Sequence, residues 1–492
     1  MSAENIQSAD YRRPPDELAV AHEEPGGPQQ SGKSILIKCL IALGIGLGIY
    51  ALPTPENLPP AGHRFLALLI PVVFLWVSEA VPIGITALGA AAGLILLKIA
   101  KAGEAWHPFA SPAVMFVLMI IMFGVVLNEV GLAKRLLFYI LKIAGTNVKR
   151  LSFFVAVGST ILSSIFHDAT ITIIMLFAIL PIFHAMGITA NKSNNLSKFF
   201  IILIPLAASA GGFGTLLGGG RNPLAVEILA KYTLEHTGTA VNIGFLEYLI
   251  IQFPICIFTA IATWLICFLI FRPKEKELPA EAKMEDLPKM SGPELGVTLV
   301  FAAAFVLWTV TDLTGWHVSV VAAIALFAFC APGWISFKTI CDKFPWESWI
   351  VFGAGVSLGG AMLSSGAGKW LAEQFLPLLE GLPKFASYLG MGLFGSVMSS
   401  MMSNSAAVAL SLPVTLPLAE MMGMSVKSVA LLAPITTSFI MLVIGCPPTI
   451  IAYSTGYFTQ LEFVKVAVPW CLLLLVIVVL CMLIYWPMIG FS

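Results

Sequence analysis

The sequence predicts an all-α polytopic membrane protein of two inverted repeats, with re-entrant hairpins, broken helices and about eleven transmembrane helices. Three observations lead to this fold class. Hydrophobic residues make up 58% of the 492 residues and charged residues only 11%, and the mean hydropathy is +0.92, which excludes an ordinary soluble domain. Two similar polar stretches, 158–169 and 395–406, interrupt long apolar runs. One hydrophilic segment, 272–292, divides the chain into halves.

Residues 1–33 are charged and rich in proline and glycine, which predicts a disordered cytoplasmic tail. They lack the apolar centre of a signal peptide, and the first apolar run, Ser34 to Leu52, is long enough to span a bilayer. Lys33 and Lys38 lie at the N-terminal end of this run, and together with basic connectors later in the chain they place the N-terminus in the cytoplasm under the positive-inside rule.

The predicted domains follow from the hydrophilic segment. Residues 34–271 hold the first transmembrane helix and repeat one, 272–292 form a cytoplasmic linker, and 293–492 form repeat two. Each repeat contains an apolar segment with several glycines or flanking prolines, at Pro108–Asn128 and at Pro345–Ser365. Each segment either crosses once or turns back; we favour a re-entrant hairpin in both, because glycine breaks helices readily.

The two polar stretches align residue by residue. Gly158, Ser159, Ser163 and Ala169 match Gly395, Ser396, Ser400 and Ala406. Beyond each stretch an apolar span runs into a second break, at 211–223 and at 445–449. Interrupted helices at corresponding places in two halves indicate the midplane binding site of a secondary transporter.

Four stretches of the chain resemble the divalent anion/sodium symporter family, the carriers of dicarboxylates, citrate and sulfate. They are Leu75–Pro82 with Thr86–Leu88, Phe352–Gly359, Ser403–Ser405 and Pro447–Thr449. The likeness extends over residues 35–490 in the order of the family. It implies a homodimer and an elevator mechanism, in which a transport domain moves against a scaffold.

Members of that family carry a Ser-Asn-Thr motif in each half, which binds sodium and the carboxylates of the anion. The second-half motif here is Ser403-Asn404-Ser405. The resemblance implies that a sodium ion is bound by Ser399, Ser403, Asn404 and the Gly445 carbonyl. It likewise implies substrate contacts from Asn404, Ser405, Cys446 and Pro447. Hydroxyl, amide and carbonyl oxygens are indeed ligands that a hard cation accepts. The alternative is that these small residues serve only close helix packing.

The first half departs from the family pattern. Phe166-His167-Asp168 replaces the motif, and Leu162 stands where the other half has Ser399. Phenylalanine and leucine supply no oxygen, so the first sodium site is predicted to be lost. Gly220-Arg221-Asn222 replaces the Pro-Pro-Asn of the family, and Gly219 replaces the serine before it.

Three ionisable residues thus enter one predicted site, and such residues inside a membrane are costly and usually functional. We assign His167, Asp168, Gly219 and Arg221 to substrate binding. Arg221 then provides the fixed positive charge that the missing sodium would have given to a carboxylate or sulfo group. His167 or Asp168 carries a proton, since histidine titrates near neutral pH. The alternative is a structural Asp168–Arg221 ion pair.

These features predict a secondary active transporter of small divalent anions of the C4-dicarboxylate type, coupled to sodium or protons. An anion exchanger and a sulfate or sulfonate carrier are the alternatives. An intramembrane enzyme is the alternative of another class, but the sequence has no His-Glu-x-x-His motif and no nucleophile elbow. The expected partners are a small anion, the lipid bilayer and a second copy of the chain, in the cell membrane. No organic cofactor is expected, and a net charge of zero argues against nucleic acid.

Overall fold

The computed structural model describes residues 32–279 and 289–491, and in these ranges the chain forms helices and connecting loops without a β-strand. The predicted all-α fold is confirmed. Seven of the described helices are long and apolar enough to cross a membrane. The predicted tail lies almost entirely outside the described residues, and so does the centre of the predicted linker.

The first half of the chain contains helices α1 to α11. Their bounds are α1 Gly32–Ala51, α2 Pro60–Ser78, α3 Ile83–Leu96, α4 Ala102–Trp106, α5 Pro112–Glu129, α6 Leu132–Ala144, α7 Val148–Ser163, α8 Asp168–Ala185, α9 Asn195–Gly211, α10 Arg221–Thr237 and α11 Phe245–Phe271.

Apart from the four-residue helix α13, the second half repeats the order of α2 to α11. Its helices are α12 Gly292–Thr309, α13 Thr311–Thr314, α14 Val318–Cys330, α15 Phe337–Lys343, α16 Trp346–Ser364, α17 Ala367–Leu379, α18 Lys384–Met401, α19 Asn404–Met421, α20 Val426–Thr436, α21 Pro447–Ser454 and α22 Gln460–Met488. Contacts between the halves are reciprocal. Helix α5 packs on α14, and their counterparts α16 and α3 also pack on each other. In the same way α8 packs on α21, and their counterparts α19 and α10 are in contact. Such an exchange is expected of two repeats related by a pseudo-twofold axis.

The hairpins predicted at Pro108–Asn128 and Pro345–Ser365 are wrong, because the structure has one continuous helix at each place, α5 and α16. The glycines of α16 serve close packing instead of a turn. A Cβ at Gly353 would lie 2.5 Å from the Phe109 ring, and one at Gly355 would lie 3.2 Å from the Ala409 Cβ of α19. The chain bends by 73° only after α16, before α17 begins.

The chain folds back instead at the two polar stretches. Helix α20 has only 11 residues, a length of about 16 Å. It contacts both α18 and α19, so these two helices lie side by side. Helices α7 and α8 likewise both contact α9. At the two tips, His167 Nδ1 accepts a hydrogen bond from Ala169 N and Ser403 Oγ accepts one from Ala406 N, which caps α8 and α19.

Each hairpin is followed by a broken helix. Residues 212–220 separate α9 from α10, and residues 437–446 separate α20 from α21. Asn222 Nδ2 donates to the carbonyls of Gly212 and Thr215 at 2.8 and 2.6 Å. At the matching position, Thr449 Oγ1 donates to carbonyls of its own loop. These bonds satisfy backbone groups that the helix break leaves open.

Polar contacts also join the two halves at a distance from the breaks. Arg135 of α6 and Glu294 of α12 form a buried ion pair, with Arg135 Nη2 donating to Glu294 Oε2 at 2.9 Å. The start of the predicted linker is held to the start of α7, because Val148 N donates to the Lys276 carbonyl at 2.9 Å.

Candidate functional site

A cavity of about 540 Å³ lies where the tips and breaks of both halves meet. Most of the predicted site residues line it: His167, Asp168, Gly219, Arg221, Ser403, Asn404, Ser405 and Pro447. Ser399, Gly445 and Cys446 are buried and do not line the cavity. The opposite wall is formed by α5 and by the first turns of α16. The structure therefore brings residues of the two halves to one cavity.

The Arg221 guanidinium connects the two halves. It belongs to the first turn of α10 and is only 3% exposed. Its Nη1 donates to Asn404 Oδ1 at 2.5 Å when the amide is oriented so that its nitrogen donates to the Thr437 carbonyl. Its Nη2 donates to the Ser209 carbonyl at 3.3 Å. A Cβ at Gly212 would lie 2.1 Å from Nη2, so a glycine there makes room for the guanidinium.

Asp168 lies beside this guanidinium, at the N-terminus of α8. Its Oδ2 is 3.8 Å from Arg221 Nη1, which is an ion pair but too long for a hydrogen bond. Its Oδ1 accepts from Ala169 N at 2.9 Å, and the helix N-terminus stabilises this negative charge. His167 Nδ1 is 3.4 Å from the same Oδ1, and its side chain is 45% exposed. The three ionisable residues therefore form one cluster.

The second-half residues assigned to sodium converge around Asn404. Ser399 Oγ donates to the Thr437 carbonyl at 2.5 Å and lies 2.7 Å from the Asn404 amide. A Cβ at Gly445 would lie 3.0 Å from the Ser399 carbonyl oxygen, so the broken helix packs tightly on the hairpin here. With the Asn404 nitrogen facing Ser399 and Thr437, the oxygens that meet here are the Ser399 hydroxyl and the Thr437 carbonyl. Both are oxygen ligands that a hard cation accepts, and the Asn404 oxygen would join them only if its amide turned away from Arg221.

The corresponding place in the first half is apolar. Leu162 and Phe166 are buried and contribute no side-chain oxygen. Leu162 lies in the last turn of α7, and Phe166 lies in the tip that follows this helix. The predicted loss of a sodium site remains an inference from donor chemistry.

Several residues that shape the site were missed from the sequence. The Ser209 carbonyl accepts a hydrogen bond from the Arg221 guanidinium, and the Thr437 carbonyl accepts one from the Asn404 amide. Backbone acceptors of this kind leave no mark in the pattern of side chains. Phe352 lines the cavity, and a Cβ at Gly220 would lie 3.0 Å from its ring. Cys446 Sγ is 3.5 Å from Thr449 Oγ1, behind the wall.

Comparisons with known proteins agree with this arrangement. The model of the family described as "Sodium:sulfate symporter transmembrane region" matches residues 33–492. The chain is 26% identical to a sodium-dependent dicarboxylate transporter SdcS of Staphylococcus saprophyticus, covering 94% of each chain. It is 28% identical to an uncharacterized transporter of Haemophilus influenzae, covering 83% of this chain and 88% of that one.

Solved structures support the fold. The Alcanivorax borkumensis YdaH transporter is similar with a TM-score of 0.56 and 15% identity, over 93% of this chain and 98% of the other. Neisseria gonorrhoeae MtrF is similar with a TM-score of 0.53 and 14% identity, over 92% and 94%. The family consists of membrane transporters, which confirms that the chain is not an enzyme. The chain is a multi-pass membrane protein that belongs to the sodium:sulfate symporter family.

Proposed function

We propose that the protein is a cation-coupled secondary transporter of small divalent anions, with a C4-dicarboxylate as the leading substrate. The single observation that carries the proposal is the contact of Arg221 Nη1 with Asn404 Oδ1 inside one cavity. It places a fixed positive charge of one half beside the anion motif of the other. A volume of about 540 Å³ is ample for a four-carbon diacid. The staphylococcal relatives named as sodium-dependent dicarboxylate transporters support the same substrate class.

The charges that line the cavity support cation coupling. Among its described lining residues, Arg221 and Lys343 are positive and Glu129, Asp168 and Glu347 are negative. With a neutral histidine the sum is two positive and three negative charges, before a dianion enters. Burying two further negative charges is costly unless positive charge enters with them. We therefore expect a sodium ion at Ser399, Ser403, Asn404 and Gly445, a proton on His167 or Asp168, or both.

The dianion has complementary groups at two places. One carboxylate meets the Arg221 guanidinium, which is planar and suited to bidentate binding. The other meets the Ser405 hydroxyl and the N-termini of α19 and α21, where helix dipoles favour negative charge. Cys446 and Pro447 form the start of α21 behind and beside this position. A sulfate or sulfonate also presents anionic oxygens that the guanidinium can bind, and stays the alternative substrate, as exchange stays the alternative to symport.

The distribution of the site residues also supports an elevator mechanism. The residues assigned to substrate and sodium come from 167–221 and 399–447, whereas α5 and α16 form the opposite wall. Movement of the first set along the second would carry the loaded site across the membrane. A homodimer, a cytoplasmic N-terminus and location in the cell membrane complete the proposal.

The experiment is uptake of labelled succinate, citrate, sulfate and methanesulfonate into proteoliposomes under an imposed sodium gradient, proton gradient or neither. We expect succinate uptake that requires a cation gradient and is competed by unlabelled dicarboxylates. Dependence on protons alone would assign coupling to His167 and Asp168, and dependence on sodium to Ser399 and Asn404. Succinate uptake that needs only an anion inside would favour the exchanger. Absence of transport of all four anions would refute the proposal.

A further inference from the structure

A second cavity, of about 390 Å³, lies at the other end of helix α5. It is bordered by the first turn of α5, by α10 and by the loops before α11 and α14. Trp316 and His317 at its border are exposed, as is Asn242. Glu227 and Glu247 also line it, and Glu247 is paired with Lys427 at 2.7 Å. This cavity has polar groups and an exposed rim, and none of the residues assigned above to substrate or sodium lines it.

One face of α5 lines both cavities in succession. Ala113 and Phe116 border the second cavity, and the first cavity begins at the next residue, Val117. The lining residues of α5 recur every three or four positions, as one helical face does: Ala113, Phe116, Val117, Ile120, Ile121, Gly124, Val125 and Asn128. From the first to the last of them α5 rises about 22 Å, most of the hydrocarbon thickness of a bilayer. The two cavities thus approach each other from opposite ends of a spanning helix.

Leu216 stands between the two cavities. It belongs to the broken segment 212–220, is 6% exposed, and lines both cavities. Its neighbour Leu217 is 5% exposed and lines only the first cavity. Thr215 fixes this part of the loop, because its Oγ1 donates to the Ser164 carbonyl and accepts from Leu217 N. These two bonds therefore hold the residues on either side of Leu216 in place.

We infer that Leu216 is the apolar barrier that separates the two cavities, and that it closes against the face of α5 that lines both of them. An apolar constriction stops ions because water does not enter it. The two cavities meet at Phe116 and Val117 of α5, which are both apolar, so the constriction beside Leu216 offers an anion no polar group. The effect of the barrier on substrate transport rests on the proposed function. The barrier itself can be tested without knowing the substrate.

The first test is chloride permeability of proteoliposomes containing Leu216→Ser or Leu217→Ser. A hydroxyl at position 216 hydrates the constriction, and we expect chloride leak to rise about tenfold over the unaltered protein. Leu217→Ser is the matched control and is expected to leave the leak unchanged. Leak from both variants, or from neither, would overturn the inference. Monodisperse elution of each purified variant confirms that it is folded.

The second test places a bulky side chain on this face of α5. Gly124 of α5 and Gly89 of α3 are both helical glycines at which an added Cβ meets nothing within 4 Å, but only Gly124 lines a cavity. Gly124→Trp is expected to reduce the transport rate about tenfold or more by obstructing the first cavity. Gly89→Trp is expected to retain the rate of the unaltered protein. Unchanged transport by Gly124→Trp would refute the role of this face of α5. If the unaltered protein transports no anion, the proposed function is refuted. The chloride measurement would still test the barrier, because it does not depend on that function.

Discussion

Replacing Arg221 by glutamine tests how the two halves share one anion. The variant loses the charge at a position where the guanidinium reaches Asn404 Oδ1 at 2.5 Å and the Ser209 carbonyl at 3.3 Å. A hydrogen bond to a charged group contributes about 1.5–3 kcal/mol. If Arg221 binds a carboxylate, the half-saturating concentration of succinate is expected to rise about 10- to 150-fold.

The same substitution leaves Asp168 without its cation. This carboxylate is buried, with 7% of its side chain exposed, and an unpaired buried charge costs about 3 kcal/mol of folding free energy. Loss of transport by the single variant therefore has two explanations. The double variant Arg221→Gln with Asp168→Asn separates them, because it removes both charges and is expected to recover thermal stability.

The assay is succinate uptake by proteoliposomes at matched protein content, with thermal unfolding measured for each variant. Lys343→Gln is the matched control, since it removes the same charge from a side chain of the same cavity that is 54% exposed. Its effect is expected to stay below about threefold. Near-normal succinate uptake by the stable double variant would refute the role of Arg221 and favour a structural ion pair.

Three further predictions concern the cation site, the proton and the junction of the repeats. Ser399→Ala is expected to raise the half-saturating sodium concentration about tenfold, because it removes a candidate ligand, whereas Ser400→Ala, one residue on, leaves it nearly unchanged; equal effects would contradict the site. If Asp168 carries the proton, an imposed proton gradient drives uptake by the unaltered protein but not by Asp168→Asn, whose side chain cannot release a proton; an equal response of the two proteins to the gradient would exclude this carrier. Glu294→Gln breaks a buried ion pair and is expected to lower the free energy of unfolding by about 3 kcal/mol, against less than about 0.5 kcal/mol for the exposed Asp342→Asn, both followed by thermal unfolding. Similar losses in the two variants would show that burial of the first pair contributes nothing.

The sequence was sufficient to bring His167, Asp168 and Arg221 together, because alignment of the two halves places His167 and Asp168 at the Ser403–Ser405 motif and Arg221 at the second break, two positions assigned to one site. The turning points of the chain were harder to predict. Gly353 and Gly355 suggested a hairpin, yet they allow close packing against Phe109 and Ala409 within a continuous helix. A glycine that breaks a helix and one that admits a neighbour look alike in a sequence, since the difference lies in tertiary contacts.

Backbone groups and cavities were also beyond the sequence. The Ser209 carbonyl accepts from Arg221 only because residues 212–220 leave the helix and return the guanidinium toward α9. Leu216 belongs to a glycine-rich segment whose side-chain pattern suggests only a break. Its place between two cavities depends on the packing of that segment against α5.

The central claim is that both halves bind one anion together with its cation. The most direct measurement is an experimental structure with succinate and sodium present. The account predicts succinate density between the Arg221 guanidinium and Asn404-Ser405, with a sodium ion enclosed by Ser399, Asn404 and the Gly445 carbonyl. Succinate bound away from Arg221 and Asn404, or contacted by residues of only one half, would contradict it.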